Sequence, residues 1–298
     1  MSELTGARKL ALAQAGQQGL ITDWIEFSNV DGPGNRFVFF LQGCGFNCLA
    51  CHNPYTINPC NDCGECVDQC VSSALSIDAL GKVVWNEQLC TGSDGCVNAC
   101  RFDSTPKARR LTVAQVLDKL RPAAPFLSGI TVSGGESTRQ ALFLRELFIA
   151  VRKDPQLSRL TCFVDSNGDT NLPIWEILSP VMDAAMIDLK ALDPDVHRLL
   201  TAASNAKVLA TIEFLAARGQ LHEVRLLMMP GHNDSDEQLA ATGRWLAGVD
   251  PTMRVKIIGF RRHGVRPASV PLREPTPDQL AHYRDVLAAQ GDFRFVLV

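Results

Sequence analysis

Three cysteines in the stretch GCGFNCLACHN, Cys44, Cys48 and Cys51, stand at C-x3-C-x2-C. Thiolates at this spacing on one loop can share a metal centre, but closed zinc and iron–sulfur sites take four protein ligands. A three-thiolate centre leaves one coordination position open, which is the arrangement that catalytic metals need. The alternative, a zinc site completed by His52, is awkward because adjacent residues tend to point to different sides. A second cysteine set follows: CNDCGECVDQC (Cys60–Cys70) reappears thirty residues on as CTGSDGCVNAC (Cys90–Cys100), with Ser93 where Cys63 has its counterpart. An insert of about fifty residues cannot support itself by apolar burial alone, so the repeat implies bound metal as a staple, either iron–sulfur or zinc. The remaining Cys162 reads as a buried, inert thiol on a strand.

VSGGES (Val132–Ser137) lies between a predicted strand and a predicted helix. Gly134 and Gly135 permit close backbone approach to a ligand, and Glu136 offers an acceptor to a cationic amine; taken alone, two glycines after a strand are more often just a turn. VDSNG (Val164–Gly168) reads alone as an Asx-type turn, and Arg225 as a surface residue on an alternating strand.

The elements that must position these residues are near-continuous apolar runs separated by amphipathic ones. Strands are expected at Arg36–Gln42, Gly129–Gly134, Leu160–Ser166, Ala184–Lys190, Glu223–Met229, Arg254–Phe260 and Phe293–Val298. Helices are expected at Thr112–Leu120, Arg139–Lys153, Pro173–Met182, Pro194–Arg218, Ser235–Val249 and Pro277–Gln290. Such alternation predicts βα units with a buried parallel sheet, closing into a barrel or winding doubly. The alternation breaks between Pro54 and about Arg109, which sets the expected division: an N-terminal extension at 1–19, a main domain at 20–53 and 110–298, and an insert at 54–109. At 298 residues with a net charge of −3, the chain offers no electrostatic reason to bind nucleic acid or an anionic membrane. No apolar run approaches the roughly 18 residues of a spanning helix, and Ala7–Gly16 reads as a short or frayed helix. Eleven cysteines, ten of them between Cys44 and Cys100, point to metal binding in a reducing cytoplasm.

C-x3-C-x2-C together with GGE resembles the radical S-adenosylmethionine (SAM) enzymes. VDGPGNRFVFFLQGC (Val30–Cys44), CHN (Cys51–Asn53), VDSNG and MIDLK (Met186–Lys190) narrow this to the glycyl-radical enzyme activating enzymes, the family of pyruvate formate-lyase activase. The likeness runs from about Leu20 to Val298 and is nearest to activases with a ferredoxin-like insert. It implies a partial (β/α)6 barrel and a [4Fe–4S] cluster on Cys44, Cys48 and Cys51 whose open iron is chelated by S-adenosylmethionine. Gly134, Gly135 and Glu136 would hold the methionyl amine. Asp165, Ser166, Met186 and Asp188 would form a monovalent-cation site, with Lys190, Arg225 and His263 as further contacts. Two departures from the family are Ala50 before the third cysteine, where an aromatic is usual, and Arg261 in GFRRHG where a histidine is usual; His263 is the candidate substitute.

The insert itself resembles a two-cluster bacterial ferredoxin, in which the fourth cysteine of each run serves the other cluster. That pairing gives Cys60, Cys63, Cys66 and Cys100 to one [4Fe–4S] cluster. Cys70, Cys90 and Cys96 form a second set one ligand short, for which Ser93 or Asp94 as an oxygen ligand, a three-iron cluster and an empty site are the alternatives. The implied partners are a glycyl-radical enzyme and an electron donor such as flavodoxin or ferredoxin. Radical chemistry on a small molecule or peptide, and simple electron transfer, are the competing functions.

Overall fold

The computed structural model describes residues 18–266 and 272–298. The helix expected at Ala7–Gly16 lies outside the described residues, and of the N-terminal extension only Gln18 and Gly19 are described, as the start of the first strand.

In chain order the strands are β1 (Gln18–Ser28), β2 (Arg36–Leu41), β3 (Leu75–Ile77), β4 (Val83–Trp85), β5 (Arg109–Thr112), β6 (Gly129–Gly134), β7 (Thr161–Ser166), β8 (Ala184–Asp188), β9 (Leu221–Met228), β10 (Arg254–Gly259) and β11 (Arg294–Leu297). All but β3 and β4 form one sheet in the order β11-β10-β9-β8-β7-β6-β2-β1-β5. From β2 through β6 to β11 every pairing is parallel, and each new strand is laid beside its predecessor. A doubly wound sheet would reverse its order part-way; this one does not. Among the described strands, β5 and β11 remain unpaired edges, so the sheet is open.

The sheet is mixed, because β1 runs antiparallel to both β2 and β5. Neither strand is among those expected from sequence, and the reasons are local. β1 alternates irregularly between buried and exposed positions and carries two register shifts, while β5 has only four residues. At the N-terminal ends of the parallel strands Arg36 is fully buried. Its guanidinium donates to the Thr131 and Thr161 hydroxyls and to the Ile130, Thr161 and Pro33 carbonyls, so every buried N–H of the plug has an acceptor.

The helices are α1 (Gly95–Ala99), α2 (Val113–Ala123), α3 (Ala141–Lys153), α4 (Leu172–Leu178), α5 (Pro194–Thr201), α6 (Ala206–Ala217), α7 (Asp236–Val249) and α8 (Pro277–Ala288). Capping fixes several starts: Thr112 with Gln115 and Thr276 with Gln279 form capping boxes, and Ser235 and Asp193 cap α7 and α5. The single helix expected over Pro194–Arg218 is two, bent by 107°. Ala202 takes a left-handed φ of 60°, and the Asn205 amide reaches back to the Leu192 and Ala191 carbonyls. The apolar periodicity continues through this break, so hydrophobic pattern alone did not reveal it. Among the described residues no single helix is long and apolar enough to cross a membrane.

Candidate active site

The cysteine loop leaves β2 and is held by its backbone from three sides. The Gly43 and Cys44 amides donate to the Thr56 and Ile57 carbonyls at 2.8 and 2.9 Å, and Gly43 O accepts the Glu136 amide at 2.8 Å. The bend between α5 and α6 supplies the third support. A helix C-terminus leaves carbonyls without intrahelical partners, and here Thr201 O and Leu200 O accept the Asn47 and Leu49 amides, each at 2.9 Å. The fully buried His197 of α5 stands edge-on to Phe46, ring centres 5.5 Å apart, and so backs the middle of the loop.

Cys44, Cys48 and Cys51 open onto a cleft of about 540 Å³ at the C-terminal ends of the parallel strands, the end where active sites of βα folds form. Burial pushes the Cys44 thiol up to about 11 and that of Cys48 up to about 12, and raises Cys51 as well. The Phe46 amide and the Asn167 side-chain amide point at Cys44 Sγ, at 3.4 and 3.5 Å. Among the described residues no three Cys, His, Asp or Glu converge closely enough to hold a single metal ion. The three thiols are partly buried, and the N–H donors aimed at Cys44 Sγ are the kind of outer contact that orients and tunes a metal-bound sulfur, so the donor set fits an iron–sulfur cluster.

Facing the thiols is a ladder of charge. Asp165 accepts from Ser133 Oγ and from Arg225 Nη1, both at 2.9 Å. Arg225 Nε binds Glu223 at 2.7 Å, and Glu223 also takes Arg254 Nε at 3.0 Å. Lys190 Nζ pairs with Asp188 at 2.7 Å. Burial alone would weaken both cations, but Asp165, Asp188 and Glu223 hold Arg225 above its ordinary pKa, and Asp188 with the nearby thiols does the same for Lys190. Both remain charged, facing a site that combines anionic ligands with cationic contacts. Strand alternation explains the placement: Arg225 and Leu227 of β9 line this cleft, whereas Leu226 and Met228 line a separate cavity of about 510 Å³ under α7.

Of the candidate cofactor residues, Gly134, Gly135, Asp165, Asp188, Lys190 and Arg225 line the cleft beside the three cysteines. Glu136, Ser166, Met186 and His263 are not part of its lining. Glu136 is buried and turned into the protein, where it accepts from the Thr138 amide (3.0 Å), the Thr138 hydroxyl, Ser166 Oγ (2.8 Å) and the Asn167 amide (2.8 Å). It latches the turn that presents Asn167 to Cys44. Met186 is fully buried, with its sulfur 3.0 Å from Arg225 Nη2. His263 is exposed, and Arg261 pairs with Glu274 on the surface. Gly134 is required by the sheet itself: at φ +124° a Cβ would lie 2.2 Å from Leu41 N. Glycine at 135 spares a clash with Gly43 O, which a Cβ would approach to 2.6 Å.

Sequence reasoning missed Asn167, Glu223 and Arg266. Glu223 carried a usable signal, since it is two residues from Arg225 on one strand face. Arg266 carried none. Its guanidinium meets the Asp103 carboxylate, Asn47 Oδ1 at 2.5 Å and Cys48 O at 3.3 Å.

In the insert, β3 and β4 form a small antiparallel hairpin. Cys60, Cys63, Cys66 and Cys100 line one small cavity, and Cys70, Cys90 and Cys96 line another together with Ser93 and Asp94. Asp94 is engaged by Lys107 Nζ at 2.6 Å. Arg109 stacks between Trp24 of β1 and Trp85 of β4, at 4.3 and 5.0 Å, and so fastens the hairpin to the main sheet.

Residues 38–242 match the Radical SAM superfamily profile. The pyruvate formate-lyase-activating enzyme of Streptococcus mutans is 29% identical over 279 residues, covering 90% of both chains. The 4-hydroxyphenylacetate decarboxylase activating enzyme of Clostridioides difficile is 31% identical over 245 residues, covering 75% of this chain and 76% of that one. Among solved structures, QueE from Escherichia coli has a like fold, with a TM-score of 0.54 at 12% identity over 96% of this chain and 97% of that one. A radical SAM methyltransferase from Sphaerobacter thermophilus gives a TM-score of 0.55 at 15% identity, covering 88% and 66%. Cysteine loop, cleft, sheet order and these likenesses agree, and the chain belongs to the radical SAM superfamily and, with these relatives, to its activating enzymes.

Proposed function

We propose that this protein activates a glycyl-radical enzyme, and that the observation carrying the reading is the loop of three partly buried thiols opening onto a cleft ringed by Asp165, Asp188, Lys190 and Arg225. Cys44, Cys48 and Cys51 would hold a [4Fe–4S] cluster, which when bound would supply the electron that cleaves S-adenosylmethionine to methionine and a 5′-deoxyadenosyl radical able to take a hydrogen atom from a partner's backbone glycine.

The chain's own residues bind, orient and shield. Cys44, Cys48 and Cys51 would be the cluster's protein ligands, with S-adenosylmethionine bound beside them in the cleft they line. The Gly134–Gly135 backbone would form the edge beside the amine, braced from within by Glu136 through Ser166 and Asn167, while Lys190 and Arg225 would offer positive charge to the carboxylate. Asp165 and Asp188 would offer carboxylate oxygens to a monovalent cation at the cleft edge, in competition with their present partners Arg225 and Lys190, while Ser166 Oγ and the Met186 backbone would have to turn from their present places to join them. In the insert Cys60, Cys63, Cys66 and Cys100 would hold one complete cluster and Cys70, Cys90 and Cys96 an incomplete one, and these would supply a route inward for electrons from a flavodoxin or ferredoxin in the cytoplasm.

The test is anaerobic reconstitution with iron and sulfide, reduction by dithionite, and quantification of 5′-deoxyadenosine for wild type against Cys48→Ala. Product from wild type alone is expected. With the cognate enzyme added, a glycyl electron-paramagnetic doublet should appear; a fully loaded wild type that cleaves no S-adenosylmethionine refutes the reading.

A further inference from the structure

The guanidinium of Arg266 is a joint between three segments far apart in sequence. One nitrogen meets Asp103, three residues beyond Cys100 at the exit of the insert. The other donates to Asn47 Oδ1 at 2.5 Å and to Cys48 O at 3.3 Å, inside the cysteine loop. The contact extends along the backbone: a Cβ on Gly264 would lie 3.0 Å from His52 O, so the loop after β10 rests directly on the cysteine loop. The insert's exit is tied in as well, since Asn58 binds the Asp103 carbonyl through its amide and the Phe102 carbonyl through its side chain, both at 3.0 Å.

We propose that Arg266 and Asp103 are positioning residues that set the reduction potential of the centre on Cys44, Cys48 and Cys51 by a balanced pair of opposite charges. This rests on the open-iron reading of those cysteines. Reduction adds one electron, and hence one negative charge, to the centre. A cation against the Cys48 carbonyl favours the reduced form, and the carboxylate beside it opposes that gain. Both side chains are about three-quarters buried, so water screens them incompletely. The pairing leaves the net local charge near zero while locking the loop to the insert.

The two charges can be removed singly. Arg266→Gln leaves Asp103 uncompensated and should make the centre harder to reduce. Asp103→Asn leaves Arg266 uncompensated and should make it easier. Arg266→Lys keeps the charge without the fork, and should stay nearer to wild type than Arg266→Gln does. The assay is an electron-paramagnetic redox titration of the reconstituted full-length protein, with the relevant signal identified by its change on adding S-adenosylmethionine and with iron content checked in each variant. The expected result is at least a tenfold change in the oxidised-to-reduced ratio at fixed potential, opposite in sign for Arg266→Gln and Asp103→Asn; for one electron tenfold is about 59 mV. A purely structural joint would shift both variants the same way or neither, and either result overturns the proposal. If Arg266→Gln fails to load iron, an unmoved or lowered potential in Asp103→Asn overturns it equally. Formation of 5′-deoxyadenosine by wild type tests the underlying reading separately.

Discussion

Replacing Glu223 by Gln tests whether the charge ladder under the cleft is built as described. Glu223 is 3% exposed and receives Arg225 Nε at 2.7 Å and Arg254 Nε at 3.0 Å. The Arg254 side chain is 39% exposed, so that half of the interaction is worth at most about 1 kcal/mol. The Arg225 half is buried, and stranding one member of a buried pair costs about 3–5 kcal/mol. Here Asp165 still holds Arg225 Nη1, and the glutamine oxygen can still accept one bond, which brings the expected total loss to about 2–3 kcal/mol. The pH dependence has a definite sign. Burial alone would raise the Glu223 carboxyl, but the Arg225 charge and the hydrogen bonds from Arg225 and Arg254 outweigh it and hold the pKa below the ordinary value. Its contribution is therefore present above the unfolded-state carboxylate pKa of about 4.3 and is lost as pH falls through the folded value. Urea unfolding of wild type and Glu223→Gln at pH 7 should show the full gap, which should begin to close as pH falls below about 4.3 and go on closing through the lower folded value. A gap under about 0.5 kcal/mol at pH 7, or one that persists undiminished in acid, would refute the reasoning.

Three further outcomes are expected. Gly134→Ala puts a Cβ 2.2 Å from Leu41 N at a positive φ, so parting β2 from β6 should cost about 3 kcal/mol or more in unfolding experiments. Glu136→Gln swaps an acceptor for a donor among four donors, leaving a backbone N–H without a partner; a loss of about 1–3 kcal/mol by urea titration is expected. Cys63→Ala should lose one cluster's complement of iron yet keep 5′-deoxyadenosine formation with dithionite, while turnover driven by a protein electron donor falls sharply; equal loss with both reductants would count against a relay role for the insert.

The cysteine loop was legible in the sequence because C-x3-C-x2-C is local: its spacing keeps three thiols on one short loop, while the partners that fix that loop come from distant segments. The βα alternation was legible for a similar reason, since apolar runs at Arg36–Leu41 or Thr161–Ser166 bury both faces of a strand within one short segment. Strand order depends on where each crossover places the next strand, so the choice between a doubly wound and a sequentially ordered sheet was left to the tertiary structure. The antiparallel β1 likewise takes its stability from partners at β2 and β5, which its irregular pattern does not announce. Glu136 illustrates the same division within the site: sequence places an acceptor after two glycines, but folding brings Ser166 and Asn167 to it and directs it inward. The carbonyls that hold Asn47 and Leu49 exist because a continuous apolar periodicity is broken at Ala202. Arg266 reaches Cys48 across 218 positions of chain. Periodicity and spacing carry information over a few turns or strands, whereas contacts at that separation arise only when the sheet has brought its loops to one end.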